Sequence, residues 1–264
     1  MKYLCLGPSA LGGFAILGFL KAIEDSFNDL EEISGCSSGS LIGLFYLITK
    51  SITKTFDIFL EIPIKDITEY SIENLFLKYG FISHDKILNH LRKYTTYTFK
   101  ELYKETKIKF HVAAFCIEKQ MNVSFSVDTH PDLEVAQAVC MSISVPLLVA
   151  AYKFGDHHYI DGGTFETAPM SPFLSKKSSD ILVVKMSKND SREVKIENIK
   201  DFLKATLNMI ISKTEITFPD VPNIYEIPLD DVDIFDFHGM TYEQKVKLFL
   251  RGYHRALTHS GLAK

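Results

Sequence analysis

The sequence predicts an α/β fold with a mainly parallel central sheet. Segments with strand character alternate along the chain with helical segments, an order that is typical of parallel strands joined by helices. The run Ile181-Leu-Val-Val184 is continuously apolar, as in a strand that is covered on both faces. The chain has 264 residues, of which 46% are hydrophobic, so it has the apolar mass for one large core.

Composition excludes several classes of protein. The hydrophobic fraction is too high for a disordered chain, and the sequence has neither the repeats of a collagen or coiled coil nor the cysteine density of a small disulfide scaffold. The net charge is −4, whereas nucleic-acid binders normally carry a basic excess. Nucleic acid is therefore not expected as a partner.

Apolar periodicity, together with the turn residues between apolar runs, predicts the individual elements. The strand candidates are Lys2–Leu6, Glu32–Ser34, Ile108–Cys116, Asn122–Val127, Ile181–Met186 and Asn223–Ile227. The helix candidates are Phe14–Asp25, Ser38–Ile48, Lys86–Tyr94, Phe99–Glu105, Leu133–Met141, Ile196–Lys213 and Tyr242–Leu257. Residues 51–98 are mostly helical and rich in Ile, Leu, Phe and Tyr, which suits either ordinary core or a cap over a site.

The chain carries no charged residue from Tyr3 to Leu20. A membrane span needs about 20 predominantly apolar residues, and a signal peptide needs a cleavage site after its apolar region. Glycine, proline and serine residues in the segment Gly7–Gly13 would break a spanning helix, and the stretch runs on into a helical pattern. We therefore expect strand Lys2–Leu6, a loop and helix Phe14–Asp25, with a signal peptide or membrane anchor as the alternative.

The expected location is the cytoplasm or a peripheral membrane surface, with no cleaved signal peptide and no transmembrane span. The four cysteines lie far apart in mostly apolar surroundings, at Cys5, Cys36, Cys116 and Cys140. Their spacing fits no zinc site, so we expect buried free thiols and a reducing compartment.

The G-x-S-x-G pattern around Ser37 is the sharpest local signal. It follows a short strand candidate and precedes an apolar helix, the setting in which a nucleophilic serine stands at a strand-to-helix turn. Gly35 and Gly39 leave room for the strained backbone, and the helix N-terminus favours developing negative charge at the serine. The alternative is an ordinary turn in which Ser38 or Ser40 caps the helix.

A serine nucleophile needs a base, and two kinds of candidate are present. Asp161-Gly162-Gly163 follows a strand-like segment, and an aspartate at a strand end could accept the proton of Ser37 directly. The same tripeptide also fits a glycine-rich turn with an Asx hydrogen bond. A triad would instead use a late histidine, for which His238, His254 and His259 are candidates.

The loop Gly7–Gly13 lies between the first strand and the first helix. Backbone N–H groups of such a loop can form an oxyanion hole or anion cradle, and a plain connecting turn is the alternative. The loop is neither a dinucleotide G-x-G-x-x-G motif nor a P-loop, since no Gly-Lys-Ser/Thr follows. The adjacent His157 and His158 would point to opposite faces of a strand and make a poor metal site.

The order and spacing of the three motifs resemble the patatin-like phospholipase family. That family carries a glycine-rich oxyanion loop, then G-x-S-x-G, then Asp-Gly-Gly or Asp-Gly-Ala, matched here by Gly7–Gly13, Gly35–Gly39 and Asp161–Gly163. Two further segments are similar to the family's A-x-x-A-S-x-A-x-P segment and to its helix pair. They are Ala138-Val-Cys-Met-Ser142-Ile-Ser-Val-Pro146, and Gly80-Phe-Ile-Ser-His-Asp-Lys-Ile-Leu88 with Thr98-Phe99-Lys-Glu-Leu102.

The resemblance implies a three-layer α/β/α fold formed by one domain over residues 1–264, with the motifs within about residues 2–170. It implies a phospholipase A or esterase that cleaves carboxylic esters of glycerolipids. Ser37 would be the nucleophile, Asp161 the proton acceptor, and an acyl-enzyme the intermediate. No metal or organic cofactor is implied, and the expected partner is a phospholipid or other acyl-ester lipid, with transient contact to a membrane surface.

Two departures from the family pattern concern the oxyanion loop and the segment after Asp-Gly-Gly. The family's loop is typically G-G-G-x-Arg/Lys-G, but here Pro8 has no N–H to donate and Gly12 stands where the basic residue is expected. Thr167-Ala168-Pro169 stands where the family often has Asn-x-Pro. The remaining oxyanion candidates are the backbone N–H groups of Ser9, Ala10, Leu11 and Ser38.

Two other functions stay open. The first is transfer of the acyl group to an acceptor lipid in place of water, which the sequence does not separate from hydrolysis. The second, which the departures in the oxyanion loop motivate, is a catalytically weak or inactive protein of the same fold that binds lipid or a partner.

Overall fold

The structure is a computed structural model that describes residues 1–187, 195–198, 201–202, 205–206, 221–229 and 232–258. The strands are β1 (Tyr3–Leu6), β2 (Glu32–Cys36), β3 (Gly80–Ile82), β4 (Lys109–Cys116), β5 (Met121–Phe125), β6 (Leu147–Val149), β7 (Tyr152–Phe154), β8 (His157–Asp161), β9 (Ile181–Ser187) and β10 (Ile224–Pro228). The α-helices are α1 (Gly13–Ala22), α2 (Ser38–Thr49), α3 (Ile52–Glu61), α4 (Ile64–Ile67), α5 (Ile72–Lys78), α6 (His84–Leu91), α7 (Phe99–Thr106), α8 (Val135–Ser142) and α9 (Tyr242–Thr258).

Within these described ranges, the main sheet has the order β10-β9-β1-β2-β4-β8-β7, and β5 pairs with β4 as well. The five strands from β10 to β4 run parallel, whereas β5, β7 and β8 pair antiparallel. Strands β3 and β6 form a separate parallel pair. The predicted α/β class with a mainly parallel central sheet is confirmed.

Both faces of the sheet are covered, as the continuous apolar runs predict. Alternate residues of β1 enter two different cores, since Leu4 and Leu6 belong to the larger core and Tyr3 and Cys5 to the smaller one. The larger core lies against the helices, and the smaller one lies under the segment that follows Asp161, through Ala168, Met170 and Phe173.

The uncharged N-terminal stretch is folded and buried. It forms β1, a short 3-10 turn at Ala10–Gly12 and helix α1. Helix α1 ends earlier than expected because the chain turns at Ile23 into a second 3-10 segment, Glu24–Asp29. Among the helices of the described ranges, none combines the length and the apolar character needed to cross a membrane.

Helix α9 crosses α1 at very short range, at two glycines. A Cβ atom added to Gly18 would lie 1.8 Å from the carbonyl oxygen of Phe249, and one added to Gly252 would lie 1.8 Å from that of Ala15. Only glycine allows this approach, so the late helix packs directly on the helix that follows the oxyanion loop.

The other predicted elements agree with the observed bounds to within three residues at each end, and strand β2 extends through Gly35 to Cys36. The predicted helix Ile196–Lys213 lies largely outside the described residues. Strands β3, β6 and β7 were not predicted, because three-residue strands are too short to show a period. All four cysteines are buried and free, as expected.

Candidate active site

Ser37 stands at a sharp turn between β2 and α2. Its backbone has φ 54° and ψ −129°, a strained conformation for a residue with a side chain. A Cβ atom on Gly35 would lie 2.6 Å from the carbonyl oxygen of Gly39, and one on Gly39 would lie 2.3 Å from that of Leu6. The two glycines of the motif are therefore required by space.

The alternative in which a serine side chain caps helix α2 is wrong. Ser37 is the N-cap residue, but its side chain makes no capping hydrogen bond. The Ser38 hydroxyl bonds to the Ser9 hydroxyl at 2.6 Å, and the Ser40 hydroxyl donates to the carbonyl oxygen of Ser37 at 2.6 Å. The hydroxyl of Ser37 is thus left for another role.

The register of β4 explains why Asp161 meets Ser37. Strand β2 runs parallel to β4 and places Cys36 opposite Ala113, while β8 runs antiparallel and places Asp161 opposite Ala114. Strand β5 pairs with these same residues of β4, so β2 and β8 share the other edge. The last residues of β2 and β8 therefore meet end to end, one residue before Ser37.

The Asp161 carboxyl group is fixed and desolvated, with 4% of the residue exposed. Its Oδ1 accepts hydrogen bonds from the Gly163 N–H at 2.8 Å and from the Cys36 Sγ at 3.4 Å. Burial raises the pKa of Asp161 to about 6, against the opposing effects of the Ser37 side chain, the Gly163 N–H and Cys36. The Asx hydrogen bond of the glycine-rich-turn alternative is present, on a carboxyl group that also interacts with the Ser37 side chain.

Three residues that the sequence did not single out as site residues hold this arrangement. The Ser37 N–H donates to the Ser142 Oγ at 2.9 Å, and the Asp161 N–H donates to the Ser144 carbonyl oxygen at 2.9 Å. The Ser144 hydroxyl donates to a carbonyl of α8, so it accepts from the His84 Nε2 at 2.8 Å. The available signal was the A-x-x-A-S-x-A-x-P resemblance, which covers both serines.

The predicted oxyanion loop, Gly7–Gly13, packs against the start of α2, and only some of its N–H groups are free. The Ser9 N–H donates to the Ser38 Oγ at 2.9 Å, and the Leu11 N–H donates to the carbonyl oxygen of Ile234 at 3.1 Å. In contrast, the N–H groups of Ala10 and Ser38 have no acceptor within the part of the chain that the structure describes. Of the four predicted donors, two are engaged and two remain available.

The structure shows close packing at Pro8 and Gly12, the two positions where the loop departs from the family pattern. A Cβ atom on Gly163 would lie 2.8 Å from the Pro8 Cγ, so the loop and the Asp161 turn pack directly on each other. A Cβ atom on Gly12 would lie 2.3 Å from the Sδ of Met186 and 2.8 Å from the Cδ1 of Leu229, so a lysine or arginine here would have to displace both side chains. A Cβ atom on Gly13 would make no such contact, whereas Cβ atoms on Gly7 and Gly162 would lie 2.7 Å and 2.8 Å from backbone oxygens.

An apolar cavity of about 160 Å³ lies beside Ser37. Helices α1, α3 and α6 contribute Phe14, Phe59 and Leu91 to its wall, and the turn after α8 contributes Ile143. Ala10, Ser37 and Ser38 lie in the same wall. Residues 51–98 therefore supply both core, through Ile52 and Phe59, and one side of the cavity.

In the described part of the chain, neither His238 nor His254 forms a hydrogen bond with Ser37 or Asp161. His238 is exposed and bonds through Nε2 to the Thr68 Oγ1 at 2.8 Å, and His254 is exposed on α9. His259 lies outside the described residues. His90 lines the cavity, but neither of its ring nitrogens has a hydrogen-bond partner among the residues that the structure describes.

The described side chains also offer little for a metal ion. Across the described ranges, no group of three or more His, Cys, Asp or Glu side chains is placed to hold one. His157 and His158 lie on β8, and His158 bonds to the Glu118 carboxylate through Nδ1 at 2.7 Å.

Comparison with known proteins places these features in a family. The family model described as Patatin-like phospholipase matches residues 4–174. The Probable lipid hydrolase 463L of Invertebrate iridescent virus 6 is 27% identical over 201 residues, which are 69% of this chain and 68% of that protein. Uncharacterized protein R571 of Acanthamoeba polyphaga mimivirus is 28% identical over 219 residues, or 77% and 73% of the two chains.

Two solved structures share the fold at 15% sequence identity. VipD from Legionella pneumophila has a TM-score of 0.63 over 97% of this chain and 66% of its own. A chain of the SpcU–ExoU complex from Pseudomonas aeruginosa has a TM-score of 0.55 over 98% of this chain and 52% of its own. The chain thus spans only about two thirds and about half of these two proteins. Because the family model matches more than half of the chain, from β1 to beyond the Asp161 turn, the chain belongs to the patatin-like phospholipase family.

Proposed function

We propose that the protein is a lipid acyl hydrolase that cleaves carboxylic ester bonds of glycerolipids through Ser37 and Asp161. The observation that carries the proposal is the end-to-end meeting of β2 and β8, which brings the two side chains together beside an apolar cavity. Family membership and similarity to a protein named a probable lipid hydrolase support the same class of reaction.

In the proposed reaction the Ser37 Oγ attacks the ester carbonyl while its proton passes to the Asp161 carboxylate. Protonated Asp161 gives this proton to the alcohol oxygen as the C–O bond breaks, which leaves the acyl group on Ser37. Water then attacks the acyl carbon as Asp161 takes its proton, and that proton returns to the Ser37 oxygen as the acid leaves. A pKa of about 6 leaves Asp161 charged at neutral pH and makes it a better base than an ordinary aspartate.

We assign the oxyanion donors to the N–H groups of Ala10 and Ser38. Both residues line the cavity, and both N–H groups lack an acceptor in the described structure. The Ser38 N–H also lies in the first turn of α2, where the helix dipole favours negative charge. Removal of one such donor typically lowers the rate about 100- to 1,000-fold.

We infer that the substrate is a phospholipid or a related acyl-ester lipid and that the protein contacts a membrane surface transiently. Ile72, Phe76 and Leu77 on α5 are mostly exposed, with 75% of Phe76 accessible. Helix α5 packs on β3, and Ile82 of β3 lines the cavity. We expect Phe76→Ser to weaken sedimentation with phosphatidylcholine vesicles; equal sedimentation would refute the contact.

We keep as a proposal that residues 1–264 form one domain. The packing of α9 on α1 through Gly18 and Gly252 supports it.

The proposal is tested by labelling and by hydrolysis. We expect a fluorophosphonate probe to label the folded protein at Ser37, and Ser37→Ala to abolish both labelling and release of fatty acid from phosphatidylcholine. Ser179→Ala is the matched control, because Ser179 is exposed at the opposite end of the sheet, just before β9. Unchanged hydrolysis by Ser37→Ala would contradict the assignment.

Two other outcomes would favour the alternatives. Absence of labelling in folded protein that still binds phosphatidylcholine vesicles would favour a binding protein without turnover, as the departures at Pro8 and Gly12 suggest. Transfer of the acyl group to an added acceptor lipid, in preference to water, would favour an acyltransferase. Product analysis with and without the acceptor separates the two reactions.

A further inference from the structure

A buried thiol is in contact with the carboxyl group of Asp161. Cys36 is the last residue of β2, comes directly before Ser37 and has no exposed surface. The ends of β2 and β8 lie beside each other along β4, opposite Ala113 and Ala114. The Cys36 Sγ lies 3.4 Å from the Asp161 Oδ1, a hydrogen-bond distance for sulfur. The residue before the serine therefore touches the proposed proton acceptor.

The thiol is the donor in this contact. Burial, followed by the negative charge of Asp161, raises the pKa of Cys36 well above its ordinary value, so the sulfur keeps its proton at neutral pH. An ionised carboxylate can only accept hydrogen bonds. The proton of the thiol is therefore shared with Oδ1.

Two donors occupy the same oxygen of the carboxyl group. The Gly163 N–H donates to the Asp161 Oδ1 at 2.8 Å, and the Cys36 thiol donates to the same atom. A carboxylate oxygen has two lone pairs, so a proton that arrived at Oδ1 would have to displace one of the donors. We propose that Cys36 is a positioning residue, whose S–H and the Gly163 N–H together hold Oδ1 and leave Oδ2 to accept the Ser37 proton.

A thiol suits this role because it is a weak donor. A hydrogen bond to the charged form of an acid lowers its pKa, and a stronger donor lowers it further. The S–H group therefore fixes the carboxyl group while Asp161 keeps most of its basicity. The inference rests on the proposed function of Ser37 and Asp161 and adds a residue that sets the orientation and the basicity of the acceptor.

The pH dependence of this contact involves two carboxyl groups. The groups that act on the pKa of Asp161 are the neutral serine, glycine and cysteine donors named above. Cys36 also interacts with the Ser142 side chain of α8 and with the carboxyl group of Glu166, which follows β8. Burial raises the pKa of Glu166 too. The experiment must therefore separate the titration of Asp161 from that of Glu166.

The first measurement is the pH profile of kcat/KM for a short ester. Cys36→Ala and Cys36→Val both remove the donor, but the first leaves a space and the second fills it. Because the charged form of Asp161 loses a donor in both, the pH at which kcat/KM falls to half its plateau is expected to rise by about 0.5–1 pH unit. Cys36→Ser keeps a donor, and its midpoint is expected to stay at or below that of the wild type.

Cys5→Ala is the matched control. Cys5 is an equally buried thiol on the neighbouring strand β1, and its side chain belongs to the smaller core. We expect the control to keep the wild-type midpoint. Unchanged midpoints in the Cys36 variants, or opposite shifts in Cys36→Ala and Cys36→Val, would overturn the inference, since they are the results of a side chain that only packs.

The second measurement does not depend on activity. In protein labelled with carbon-13 at the aspartate carboxyl groups alone, Glu166 gives no signal, and the resonance absent from Asp161→Asn belongs to Asp161. Its midpoint is expected near 6 in the wild type and higher in Cys36→Ala and Cys36→Val. Equal midpoints would overturn the role of Cys36. Failure of a fluorophosphonate probe to label Ser37 in the folded wild type would instead overturn the hydrolase function.

Discussion

Two buried carboxyl groups lie near opposite ends of β2, and their surroundings shift their pKa values in opposite directions. Glu32 is the first residue of β2, and Asp161 is the last residue of β8, beside the end of β2. The two residues are 7% and 4% exposed. Burial acts to raise the pKa of both carboxyl groups, more strongly for Asp161, and the partners of each group act against it.

Glu32 has two cationic or ionisable partners. Its Oε2 lies 2.8 Å from the His111 Nε2, and its Oε1 lies 2.5 Å from the Lys176 Nζ. Burial raises its pKa, but the hydrogen bonds and charges of His111 and Lys176 outweigh burial and hold the pKa at about 2. Such a group is stable as an anion and is a poor proton acceptor.

Asp161 has only neutral donors: Ser37, Cys36 and the Gly163 N–H. Without a cation, burial prevails and the pKa rises to about 6. The fold thus stabilises the anion of Glu32 at the amino end of β2 and raises the pKa of Asp161 beside its carboxyl end. A raised carboxyl pKa in a cleft is a mark of functional sites.

The largest expected effect is on activity. Asp161→Asn removes the proposed proton acceptor and is expected to lower kcat/KM about 100- to 10,000-fold. Glu32→Gln, which changes the other buried carboxylate in the same way, is expected to stay within about threefold once corrected for the folded fraction. The measurement is hydrolysis of a short ester by both purified variants. Equal losses of kcat/KM in the two variants would show that the two carboxyl groups do not differ in function.

The next effect is on stability and has opposite signs at the two sites. The raised pKa of Asp161, from 3.8 to about 6, means that its charged form destabilises the fold, so Asp161→Asn is expected to stabilise it by roughly 3 kcal/mol at pH 8. The gain should shrink as pH falls through 6 and vanish near 4, where wild-type Asp161 is protonated. Urea unfolding at several pH values measures it.

For Glu32 the sign is reversed. Its lowered pKa contributes stability that is fully present above about 4.5 and is lost as pH falls toward 2. Glu32→Gln is therefore expected to destabilise the fold by about 1.5–3 kcal/mol at pH 8, the cost of losing charge-assisted hydrogen bonds. If both substitutions shift the urea midpoint in the same direction, the contrast between the sites is refuted.

The smallest effect is the pH dependence of catalysis. Because Asp161 must be deprotonated to accept the serine proton, kcat/KM is expected to fall about tenfold for each pH unit below about 6. Glu32→Gln should leave this profile unchanged. If the kcat/KM of the wild type instead falls only near pH 4, Asp161 titrates as an ordinary aspartate.

Local patterns in the sequence were sufficient for part of the site. Ser37, with Gly35 and Gly39, was predicted because a strand, a turn and a helix follow one another directly in the sequence. The Asp161 motif was also visible, but its approach to Ser37 depends on the register of β2 and β8 along β4. That register joins segments far apart in the chain.

The oxyanion donors were beyond reach of the sequence for a similar reason. The sequence offered four N–H groups as equivalent candidates. Hydrogen bonds to residues far away in the chain decide which of the four are occupied and which are free. The Ser38 hydroxyl occupies the Ser9 N–H, and the Ile234 carbonyl occupies the Leu11 N–H. Likewise, Ser142 and His84 support the two central residues through hydrogen bonds that no local pattern specifies.

The sequence by itself determined the α/β class, the folded character of the uncharged N-terminal stretch and the serine turn, because apolar periodicity and glycine spacing act over a few residues. Only the tertiary structure decided which N–H groups stay free, how large the cavity is and which of two buried carboxyl groups keeps a raised pKa. Those properties depend on what distant segments place within a few ångströms of each group, and the energy of a buried polar group is set by that immediate surrounding.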